Sequence, residues 1–70
     1  MNKHFLKIGQ TIDNLTKKLC NDGFTYEEAC DYMKIIYDEA TKKFGCMNFF
    51  NIDKDGSDAV IESIINEFNK

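Results

Sequence analysis

The sequence predicts an all-α fold, a small three-helix bundle with an apolar and aromatic connector (46–52) between helices two and three. Three observations carry that expectation. Apolar residues recur every three or four positions in three separate stretches, glycine or Asx clusters fall between the stretches, and the 70 residues include no proline. There are no repeats and no linker-like tracts, so residues 1–70 read as a single helical domain. A chain of this length buries only ~60% of its unfolded surface and has roughly 3.5–10 kcal/mol of stability in total.

The first stretch places Phe5, Ile8, Ile12, Leu15 and Leu19 on one stripe. Lys17 and Lys18 lie in its last turn, and Asn21-Asp22-Gly23 ends it. Gly9 interrupts the pattern, at about 1 kcal/mol against alanine within a helix. Either another backbone packs closely there, or the helix begins near Thr11 and residues 3–8 are extended. The stripe continues through Gly9 in register, which favours one helix.

The second stretch is signalled at both ends. Thr25 and Glu28 have the spacing of a capping box, and Phe24 precedes the cap with Ala29 in staple position. Ala29, Met33, Ile36, Ala40 and Phe44 follow at helical spacing. Lys42 and Lys43 complement the negative end of the dipole, and Gly45 is a left-handed stop. The spacing predicts a helix over 26–44. The third stretch, 58–69, aligns Val60, Ile61, Ile64, Ile65 and Phe68 behind Ser57 or Asp58 as cap.

Composition narrows the classes of function. All nine basic residues are lysine, the net charge is −3 and the pI is about 4.9. Lacking arginine's bidentate fork and a basic balance, the chain is not expected to bind nucleic acid directly. Its apolar runs are far shorter than a signal peptide or membrane span requires, so a cytoplasmic protein without membrane contact is expected. Single cysteines at 20, 30 and 46 form neither a disulfide framework nor a zinc pattern. Cys20 and Cys30 flank the first turn and could meet. Cys30 and Cys46 stand ~24 Å apart along a helix. The one histidine, His4, lies in a terminal segment that is usually mobile, and no nucleophile–base arrangement is legible. The expectation is a non-enzyme without cofactor.

Asn51-Ile52-Asp53-Lys54-Asp55-Gly56, with Glu62 beyond, looks like part of an EF-hand loop. In that register Asn51, Asp53, Asp55 and Glu62 would be calcium ligands. Asp58 then stands where an apolar residue belongs, and the register that repairs this loses both the glycine and the terminal glutamate. The competing reading is a hydrophilic turn whose aspartates cap the third helix.

Two surface features remain. Residues 1–20, 21–40 and 41–70 carry net charges of +3, −5 and −1. Glu27, Asp31 and Asp38 share one face of the second helix, which either pairs with the lysines of the first helix or faces a basic partner. Met47, Phe49, Phe50 and Ile52 fit no single helical face, so the connector either completes the core or presents an aromatic anchor. The sequence therefore favours a small protein-interaction domain acting as regulator, adaptor or inhibitor. Its partner would be another protein or a second copy, bound through Met47, Phe49, Phe50, Glu27, Asp31 and Asp38. The alternatives are a degenerate EF-hand-like calcium module and an acidic phage-type inhibitor that imitates nucleic acid before a basic host protein.

Overall fold

A computed structural model describes residues 2–45 and 47–70, in which three helices pack each on the other two. Helix α1 (Lys3–Asn21) is continuous through Gly9. The close backbone approach considered at Gly9 is not found, because a Cβ built there meets nothing within 4 Å. Asn2 caps α1, its side-chain oxygen accepting from the amides of His4 at 2.8 Å and Phe5 at 3.4 Å. Gly23, at φ +110°, supplies the turn that reverses the chain.

Helix α2 (Tyr26–Thr41) opens with the expected reciprocal box. Thr25 Oγ1 accepts from the Glu28 amide at 3.2 Å, and the Glu28 carboxylate accepts from the Thr25 amide at 2.9 Å. The helix tightens into a 3₁₀ turn over Lys42–Phe44 and stops at Gly45, whose φ of +61° and ψ of −122° suit glycine.

Helix α3 (Lys54–Phe68) begins four residues before the expected start. Neither Ser57 nor Asp58 is its cap. Asp53 is, with its carboxylate accepting from the Gly56 amide at 2.7 Å. Ser57 is fully buried instead, and its hydroxyl donates to the His4 carbonyl at 3.0 Å. That bond fixes the foot of α3 against the foot of α1, while Lys18 lies over the Phe68 ring at the far end, 5.7 Å from its centroid. Helices α1 and α3 are therefore parallel, with α2 antiparallel to both.

The core collects Ile8 and Leu19 from α1, Ala29, Met33, Ile36 and Ala40 from α2, and Val60 and Ile64 from α3. These are positions of the three stripes read from the sequence. Each large side chain sequestered in this way contributes about 1.5–3 kcal/mol. The connector adds one more. Asn2 Nδ2 donates to the carbonyls of Phe50 at 3.2 Å and Ile52 at 2.9 Å. Held so, Ile52 closes the bottom of the core at 5% exposure, and Phe49 tilts inward onto Tyr37 with centroids 6.5 Å apart. The 3₁₀ turn Phe49–Asn51 thereby points Phe50 outward.

Candidate functional site

Three helices in mutual contact leave each interhelical seam with an outer side. The α1/α2 seam is open there as a groove of about 380 Å³. Phe5, Gly9, Ile12 and Asp13 form one wall, and Tyr26, Cys30, Lys34 and Tyr37 the other. Their spacing explains the alignment. Residues 5, 9, 12 and 16 of α1 fall on one stripe, as do 26, 30, 33 and 37 of α2. From Phe5 to Thr16 the groove runs about 17 Å at the rise of an α-helix. Gly9, bare of side chain and facing open space, leaves a gap in the α1 wall.

Aromatic residues mark both ends. Tyr26 is 72% exposed beside the first interhelical turn. Its phenol is held above the ordinary tyrosine value, first by the neighbouring Cys30 thiol and only then by burial. At the other end Phe5 stacks on Phe50, with centroids 5.0 Å apart and planes 18° from parallel. Phe50 is 74% exposed, so one face of this pair meets solvent. Tyr37, half-buried in the α2 wall, is pushed up mainly by its burial and then by the charge of Asp38.

The site residues expected from the sequence divide among several surroundings. Phe50 and Met47 are exposed, whereas Phe49 packs inward on Tyr37 and so cannot act as a free anchor. Glu27, Asp31 and Asp38 are all exposed on the shoulder of α2 beside the groove, about 100° around the helix from the Tyr26–Cys30–Tyr37 stripe. The pairing with first-helix lysines considered for them is absent among the described residues. The ion pairs there are local: Lys42–Glu39 at 3.7 Å, Lys54–Asp58 at 2.9 Å and Lys70–Glu67 at 2.8 Å.

The residues of the calcium reading do not form an EF-hand loop in this structure. An EF-hand needs a twelve-residue loop folded round the ion, but α3 starts at Lys54, the fourth position of that loop. Asp53 is engaged by the Gly56 amide, Asn51 ends a 3₁₀ turn and Glu62 projects from within α3. No three His, Cys, Asp or Glu side chains converge as metal ligands among the described residues. Cys20 and Cys30 are free thiols, both half-buried, and Cys46 lies outside the described residues. His4 belongs to the first turn of α1 rather than to a loose terminus. No described helix is long and apolar enough to cross a membrane.

The groove is what reasoning from sequence missed. Gly9 and Tyr26 were each legible as residues, yet only the antiparallel docking of α1 and α2 puts them on opposite walls of one channel. No family model, curated protein or solved structure shows significant similarity to this chain.

Proposed function

We propose that the protein is a non-enzymatic interaction domain that binds another polypeptide surface along the α1/α2 groove. The observation that carries this reading is an apolar channel bordered by the exposed rings of Tyr26 and Phe50 and by an acidic shoulder without ion partners among the described residues. Grooves between helices with a few aromatic anchors suit helical partners, whose side chains enter at i, i+4 and i+7. Unneutralised acids beside an apolar strip suit a partner with basic residues along one edge, which speeds encounter and fixes orientation. Regulator, adaptor or inhibitor are the roles available to such a domain.

The test uses the whole chain as bait in extracts of its source cells, with sedimentation of the purified protein in parallel. The wild type should form a complex, with itself or with a defined protein, that Phe50→Asp and Tyr26→Asp weaken at least tenfold while circular dichroism stays unchanged. A chain that remains alone in both experiments, or a complex indifferent to both substitutions, refutes the reading.

A further inference from the structure

We infer that the end of the bundle where α1 and α3 begin holds a site for a phosphate-bearing ligand with at least two negative charges. The site lies on the far side of α1 from the groove and does not depend on the reading of that groove. Lys3, His4, Leu6, Lys7 and Gln10 of α1 and Lys54 of α3 surround an open depression there of about 510 Å³. Lys3, Lys7 and Gln10 stand at i, i+4 and i+7, so they share one face of α1. Lys54 joins them from another helix because Ser57, one turn on, donates its hydroxyl to the His4 carbonyl at 3.0 Å. That bond holds the first turn of α3 against the first turn of α1.

Charge is what this lining has in common. Among the described residues three lysines line the depression and no carboxylate does, Asp53 and Asp55 included. Lys3 and Lys7 have no ion partner among the described residues. The one acid bonded to a lysine of the lining is Asp58, which accepts from Lys54 Nζ at 2.9 Å. That bond is the first cause holding the Asp58 carboxyl below its ordinary value, and the charges of Lys7 and His4 add to it. The cations of the depression thus act on a single carboxylate and leave positive charge in excess. The positive ends of the α1 and α3 dipoles point the same way. Their first amides are already taken by Asn2 and Asp53, so a ligand would meet ammonium groups rather than backbone.

The chemistry of the donors selects the ligand. A lysine ammonium is a compact charge on a flexible stem, so neighbouring lysines close together on one multiply charged group. Lysine binds phosphate in this way, as a point charge without arginine's bidentate geometry. A single carboxylate such as Asp58 neutralises one lysine, whereas a phosphate dianion or a diphosphate bridges two or three. Leu6, exposed at the edge, gives the carbon portion of such a ligand an apolar contact. Asp58 is then a stand-in that the ligand displaces from Lys54, and exposed ion pairs of this kind are weak.

The test titrates the isotopically labelled full chain with sodium pyrophosphate and follows amide shifts, in about 0.1 M salt so that charges more than ~10 Å away are screened. Vesicles of phosphatidylcholine containing phosphatidic acid are the second probe, read by sedimentation. Pyrophosphate should move the amides of Lys3, Lys7, Gln10 and Lys54 with a dissociation constant below about 5 mM. Lys7→Gln and Lys54→Gln should each weaken binding about threefold or more, and Asp58→Asn should tighten it by about as much. Lys17→Gln removes the same charge from the same helix outside the depression and should leave binding nearly unchanged. Circular dichroism checks that every variant is folded. Binding of pyrophosphate alone assigns the site to a free phosphate compound. Sedimentation with the vesicles that Lys54→Gln abolishes assigns it to a lipid headgroup. Binding of neither probe overturns the inference, and so does binding that Lys17→Gln weakens as much as Lys7→Gln does.

Discussion

Two glycines lie within helices of this bundle, and the structure assigns opposite signs to the same substitution at each. At Gly9 a Cβ meets nothing within 4 Å, and the backbone is ordinary α-helix. Gly9→Ala thus gains the helix propensity difference, about 0.8–1.0 kcal/mol, with no steric cost. At Gly56 the Cβ would stand 2.9 Å from Ile52 Cγ1 and 3.1 Å from Asp53 Oδ1. Neither neighbour is free to yield. Ile52 is buried at the base of the core, and the Asp53 oxygen is bonded to the Gly56 amide itself at 2.7 Å. Displacing a packed side chain costs about 1–3 kcal/mol, and weakening the cap about 1 kcal/mol more. Against a propensity gain of ~1 kcal/mol, Gly56→Ala loses about 1–3 kcal/mol net. In a domain of this size each kcal/mol moves Tm by roughly 4–8 °C. Thermal unfolding followed at 222 nm should show Gly9→Ala melting above wild type and Gly56→Ala below it. If Gly9→Ala melts lower, the open wall described here is wrong; if Gly56→Ala melts higher, the contact with Ile52 is wrong.

Other outcomes follow from individual contacts. Aspartate caps helices as well as asparagine does, yet Asn2→Asp should lose about 1 kcal/mol in urea denaturation, because it cannot donate to the Phe50 and Ile52 carbonyls; an unchanged midpoint would refute that role. Ser57→Ala should cost about 1 kcal/mol by releasing the His4 carbonyl, a loss the same titration detects. Hydrogen bonds from Thr25 hold the Glu28 carboxyl below its ordinary value. The box therefore contributes in full above the unfolded pKa of about 4.3, and its contribution fades as pH falls through the lower folded value. Acid unfolding of Glu28→Gln should accordingly show a flatter limb below about pH 4.5 than wild type; parallel limbs would count against the box.

Helix α2 was readable because its start, stripe and stop are local, all set within twenty residues of chain. The start of α3 was not. Asp53, Ser57 and Asp58 are all good caps by chemistry, and what selects Asp53 is that Ser57 is committed to a carbonyl on α1. Composition alone likewise left the connector undecided between core and surface. Phe49 and Ile52 turn inward and Phe50 outward because Asn2 fixes their backbone, and nothing near them in sequence announces that. The acidic face was legible as a stripe, but its lack of ion partners among the described residues depends on where the α1 lysines fall after docking. Gly9 stands out in the sequence as an anomaly, but a gap and a close approach are indistinguishable there until the second wall is in place.

The side chain of Asn2 bonds two remote pieces of backbone through its two ends. Its oxygen holds the amides of His4 and Phe5, while its nitrogen holds carbonyls 48 and 50 positions away. Helix termini ordinarily fray independently and exchange their amide protons at little cost. Here the first turn of α1 cannot loosen without also releasing Phe50 and Ile52, and with Ile52 the floor of the core. Amide exchange at Phe5 and at Ile52 should therefore report one shared opening event, slowed equally and accelerated together by urea. The two ends of that bond would make a single cooperative unit out of segments that the chain itself keeps far apart.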